Sequence, residues 1–219
     1  MITLEAIKQN AAVRTYIEKA DEVLRALGYT EHSFAHVTKV AEVAGELLKK
    51  LGYDEHTVEL SKIAGYMHDI GNVINRVDHS QSGAIMAFRI LDKEGMDPLD
   101  LSRIISAIGN HDEGTGVPVN EIAAALIIAD KSDVRRSRVR NDDLSTFDIH
   151  DSVNYSVYST ELDIDTDNKK LTLRLEIDNT YGSVMDFFEI FHGRMIMCKK
   201  AASTLGLSFG ITINGQSMV

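Results

Sequence analysis

The chain has 219 residues, 44% of them hydrophobic, which suffices for one domain, or one domain with a small appendage, and a sizeable core. Its formal net charge of -10 disfavours general binding to the phosphate backbone of nucleic acids. The single cysteine, Cys198, excludes an intrachain disulfide framework. With no apolar run of transmembrane length and no signal-peptide pattern at the N-terminus, a soluble cytoplasmic protein without a membrane partner is expected.

Period-3.6 patterning dominates the first 135 residues. Residues 4–27 read as one helix with Leu4, Ile7, Ala11, Ile17 and Leu24 on its apolar face, stopped by Gly28. A second helix spans Ser33 to Leu51, and His36 lies in phase with Val40 and Ala44. The third starts at an Asp54 cap, carries Val58, Ile63, Ala64 and Met67, and ends at Gly71, with His68 four residues after Ala64. Asp78 and Gln81 have the spacing of a capping box for a fourth helix, which puts His79 in its first turn. Asp97-Pro98 opens a fifth helix that runs through Ile104 and Ile108 to His111. Asn120 caps a sixth, with Asp130 four residues after Leu126.

The pattern then changes. Residues 136–152 are polar and charged and read as a linker. Residues 153–164 and 171–177 alternate as a hairpin, a helix follows from Ser183 to about Leu205, and Leu207, Phe209, Ile211 and Ile213 alternate as a third strand. The expected fold is mainly α: a helical domain over 1–135 and a small three-stranded antiparallel α+β module over 153–219.

Four histidines and two aspartates sit in phase with apolar stripes: His36, His68, Asp69, His79, His111 and Asp130. One such histidine alone is best explained as a hydrogen-bonded core residue, because an unpaired buried polar group costs a few kcal/mol. Six of them compensate one another if they converge on metal ions. Imidazole and carboxylate without thiolate suit first-row transition metals better than a structural zinc site.

His36, then His68-Asp69, then Asp130 resembles the ordered H…HD…D signature of the HD superfamily of metal-dependent phosphohydrolases, over roughly residues 30–135. The resemblance implies an all-helical core, and His79 and His111 resemble the additional ligands of members with two metals. The strings His68-Asp69-Ile70-Gly71 and Asn110 to Pro118 are similar to elements of the cyclic-dinucleotide phosphodiesterase branch. Asn72, Asn110 and Val117 depart from that branch, so its substrate is not assigned. The implied cofactors are two divalent transition metals (Fe, Mn, Co, Ni or Zn, with Mg as an alternative). The implied chemistry is hydrolysis of a small nucleotide-like phosphoester by a metal-activated water, with Asp69 and His68 as catalytic residues and Asp69 as the bridge. Other outcomes of the same scaffold are a di-iron oxygenase and a non-catalytic metal- or nucleotide-binding regulator.

His32, Lys131, Arg135 and Arg138 lie near these positions and are candidates for contacting the substrate, the arginines through bidentate contacts to phosphate. A solvated charged helix end is the alternative reading of the arginine run. Homo-oligomerisation stays open.

Overall fold

The structure, a computed structural model, describes residues 2–218. The first expected helix is two: α1 (Leu4–Gln9) and α2 (Ala11–Ala26). Asn10 divides them. Its extended backbone ends α1, and its side chain accepts from the amides of Ala12 and Val13 to start α2, the role asparagine fills well. Then come α3 (Phe34–Lys50), α4 (Glu55–Met67), α5 (His79–Lys93), α6 (Pro98–Gly109) and α7 (Glu121–Lys131).

Three boundaries differ from expectation, and each matters for the site. α4 ends at Met67, before the glycine, and a 3-10 turn follows over Ile70–Val73. α6 stops at Gly109, which leaves His111 beyond the helix. Asp78 is not a side-chain cap: its backbone is left-handed at φ 56°, and its side chain makes no capping bond.

Every residue of α7 from Ile122 to Ala129 is buried, so this helix is the axis of the domain. α3, α4 and α6 pack around it, and α9 (Val184–Thr204) closes the remaining side. Leu171, Met197, Ala201, Ala202 and Leu207, all from the C-terminal third, join the same apolar core as α3, α4 and α7. A second cluster, centred on Phe187, Phe191, Leu173 and Ile211, lies between α9 and the sheet.

The sheet has four strands among the described residues: β1 (Val157–Asp165), β2 (Lys170–Ile177), β3 (Ser208–Ile213) and β4 (Gln216–Ser217), in that order. It is mixed, not the three-stranded antiparallel sheet expected. β1 pairs antiparallel with β2, but β2 pairs parallel with β3 in the register Leu171 to Phe209 and Leu173 to Ile211. The cause is α9, which carries the chain back across the sheet between β2 and β3. β4 returns through Asn214-Gly215, both at positive φ, the geometry a two-residue hairpin needs. The stretch expected as a linker contains α8 (Ile149–Ser156), so β1 begins only at Val157. No helix among the described residues is long and apolar enough to cross a membrane.

Candidate metal centre

The six candidate ligands come from different elements and meet at one end of the helical domain. His36 sits in the first turn of α3, His79 opens α5, His111 follows the Asn110 cap of α6, and Asp130 lies in the last turn of α7. The change from α to 3-10 geometry after Met67 explains how neighbours share a site. His68 still has helical backbone angles, whereas Asp69 has left the helix at φ -97° and ψ 0°. Their side chains therefore do not diverge as adjacent helical residues do.

Each histidine is oriented through Nδ1. His68 donates to the Gly65 carbonyl at 2.7 Å, His79 to that of Arg76 at 3.0 Å and His111 to that of Ile108 at 2.6 Å. His36 donates to Oδ2 of Asp133 at 2.8 Å. Carbonyls and carboxylates only accept, so Nδ1 holds the proton and the neutral ring keeps a bare lone pair on Nε2.

Those four Nε2 atoms surround Asp69. Oδ2 of Asp69 lies 3.7 Å from Nε2 of His36 and 3.3 Å from Nε2 of His68. Oδ1 lies 3.6 Å from Nε2 of His79 and 3.9 Å from Nε2 of His111. One carboxylate thus offers a different oxygen to each histidine pair. Asp130 Oδ1 faces the first pair, 3.3 Å from His36 and 3.7 Å from His68.

The donor set fits a metal ion. Nε2 of His36 and of His68 are buried without any hydrogen-bond partner, a state worth about 1–3 kcal/mol of destabilisation unless something supplies positive charge. Nε2 of His79 and His111 lie 3.2 Å apart, two lone pairs face to face. Atoms of His36, His68 and Asp130 all lie within 4.8 Å of one another, as do those of His68, Asp69 and His111. Arg76 Nη1 donates to His79 Nε2 at 3.2 Å and shares that lone pair.

Electrostatics keep the ligands in their binding forms. Burial, reinforced by His68 and Lys131, pulls His111 down to about 3, and burial and Arg76 also lower His79. Burial pushes the Asp69 and Asp130 carboxyls up, but the histidines around Asp69, and Lys131 beside Asp130, hold both well below the usual carboxylate range. His68 is the exception: burial disfavours its cation, yet Asp69 and Asp130 raise it.

Sequence reasoning missed four residues here. Asp133 is fully buried and accepts from His36, Lys39 at 2.8 Å and Arg135 at 3.0 Å. The signal was present as a second aspartate one helical turn after Asp130. Asn72 donates to Oδ1 of Asp69 at 2.9 Å and so orients the shared carboxylate. Arg76 reaches both Asn72 and His79. Arg194, on α9, ion-pairs with Glu113 at 2.9 Å; Glu113 in turn holds Lys131, which reaches Oδ2 of Asp130 at 2.8 Å.

Of the residues expected to meet substrate, His32, Lys131 and Arg138 line the small cavity over Asp69 and Asp130 together with Arg76 and Arg194. Arg135 does not line it. Its guanidinium is occupied by Asp133, Glu31 and Ser137, so it braces a buried carboxylate instead. Arg138 is buried and donates to the Asp133 and Glu31 carbonyls while keeping one edge on the cavity.

A helical domain with an imidazole–carboxylate cluster at one end could hold a divalent metal ion, and the comparison with known families agrees. Residues 33–137 match the family model of the HD domain, which supports an HD superfamily protein. HD domains bind divalent metals and are generally metal-dependent hydrolases. All six candidate ligands fall within the matched residues. No curated protein matches the chain.

Proposed function

We propose that this protein is a dinuclear phosphohydrolase acting on a small nucleotide-like phosphoester. The observation that carries this reading is the division of Asp69, with Oδ2 toward His36 and His68 and Oδ1 toward His79 and His111. One ion would be held by His36, His68, Asp69 and Asp130, and a second by Asp69, His79 and His111. Divalent ions, when bound, supply Lewis-acid activation of water and neutralise charge on a phosphoryl group.

The chain's own groups do the rest. The Nδ1 hydrogen bonds fix each ring so that binding costs little reorganisation. Asn72 holds the Asp69 carboxylate between the two sides. Lys131 offsets the charge of Asp130 and stays on the cavity wall. Arg76, Arg138 and Arg194 make that wall basic in a chain of net charge -10, which suits an anionic substrate.

The test is metal analysis of the purified protein with a phosphoester panel, run with and without added Mn²⁺, under air and under argon. Metal-dependent phosphate release indifferent to oxygen is the expected result. Oxygen consumption with an organic substrate would replace this reading with an oxygenase, and metal or nucleotide binding without turnover would replace it with a regulator.

A further inference from the structure

A second cavity, of about 300 Å³, opens directly beside the cavity over the ligands. The two share His32, Arg76 and Arg194 as a common wall. The larger one is built from segments outside the ligand set: the turn after α2 at Leu27 to Thr30, the first turns of α8 and one face of α9. At about 300 Å³ it sits at the small end of ligand sites, the size of a sugar or a nucleoside and not of a dinucleotide.

The cavity is polar at both ends, with opposite sign. Toward the metal ligands stand two guanidinium planes, Arg76 5.6 Å from the Tyr29 ring centre and Arg194 4.7 Å from that of Phe191. These stacks preorganise the two cations. Arg194 reaches Glu113 through Nε at 2.9 Å. Toward α8 stand Asp148, Asp151 and the buried Asn154. Carboxylates on a cavity wall repel anions and accept from hydroxyl or amino groups.

Resting on the phosphohydrolase reading, we propose that this cavity is the leaving-group site. It takes the alcohol part of a phosphomonoester, a compact group bearing hydroxyl or amino donors, with Arg76 and Arg194 holding the phosphate at the boundary and Asp151 recognising the donors. The C-terminal third thereby supplies one wall of the active site.

The experiment compares adenosine 5′-monophosphate, ribose 5-phosphate and phenyl phosphate as substrates of the metal-loaded full chain, in wild type, Asp151→Asn and Arg194→Gln. Adenosine binding to the EDTA-treated chain is measured alongside by calorimetry. The two donor-bearing esters are expected to exceed phenyl phosphate in kcat/KM. Asp151→Asn should shrink that ratio about tenfold, since it removes the acceptor's charge and turns one accepting oxygen into a donor, and weaken adenosine to a similar degree. Arg194→Gln should raise KM for all three esters. Adenosine binding that depends on Asp151, without hydrolysis of any ester, would keep the pocket and remove the phosphohydrolase reading. Preference for phenyl phosphate, or an Asp151→Asn effect equal on every ester with unchanged adenosine binding, would overturn the proposal.

Discussion

His36 and Asp133 lie 97 residues apart in the chain, yet Nδ1 of one donates to Oδ2 of the other at 2.8 Å, with both side chains fully buried. The carboxylate fixes the tautomer of the ring and leaves Nε2 free to face Asp69 and Asp130. The same carboxylate neutralises Lys39, Arg135 and Arg138.

Asp133→Ala is therefore expected to act twice. Metal affinity should fall about 10–100-fold, as is usual when the partner of a ligating histidine is lost. Folding stability should fall by about 3–5 kcal/mol, because Arg138 is left buried without its carboxylate. Metal titration and a denaturant melt on the same preparation read the two effects. Wild-type affinity in Asp133→Ala would show that His36 needs no such brace.

Gly71 follows the His-Asp pair at closest approach to α5. A β-carbon there would collide with the His79 carbonyl oxygen, lie 2.5 Å from the Gly83 amide nitrogen and 2.7 Å from Ser82 Oγ. Backbone cannot yield as a flexible side chain does, so Gly71→Ala should displace the start of α5 and His79 with it, at a cost of about 1–3 kcal/mol. The expected signature is loss of metal on the His79 side together with a lower Tm. An unchanged melt and full metal content would show that the two segments separate freely.

Acid should destabilise the metal-free chain earlier than carboxylates alone would require. Burial lowers His32, His79 and His111 in the folded state, the last to about 3, against an ordinary value near 6.5. The unfolded chain then binds more protons than the folded one below about pH 6.5, so their stabilisation is complete above that pH and is lost as pH falls toward 3. His68 is shifted upward and works in the opposite sense, losing its contribution as pH rises through its folded value. Three groups outweigh one. Melts of the EDTA-treated protein from pH 7.5 to 4 should show a steady fall in Tm, and a flat profile across that window would contradict the burial of neutral imidazoles.

The helical half was legible because its apolar positions keep period 3.6 and its helices begin at Ser33, Asp54, Asp97 and Asn120, each of which accepts a backbone amide as a cap. The ligand candidates were legible for the same reason: a histidine in phase with valines and alanines stands out. Asp133 was marked only by its place one turn after Asp130, because two of the partners that give it its role, His36 and Lys39, lie almost a hundred residues away. Strand alternation in Leu207 to Ile213 carries period 2 but no direction, so the parallel pairing of β3 was not readable. α8 is short and polar, held by burial of Val153, Asn154 and Ser156 rather than by helix propensity, and so looked like linker. Arg194 lay hidden on a helix whose phenylalanines drew attention to the opposite role.

The most direct test of the account is metal stoichiometry per chain in wild type, His68→Ala and Asp69→Ala, with a thermal melt of each. Nε2 of His68 is one donor on one side of the centre, whereas Asp69 presents an oxygen to both sides. Two ions in wild type, a partial loss in His68→Ala and a near-complete loss in Asp69→Ala, with no matching fall in Tm, is the predicted pattern. Full occupancy in Asp69→Ala would contradict a centre built around that carboxylate.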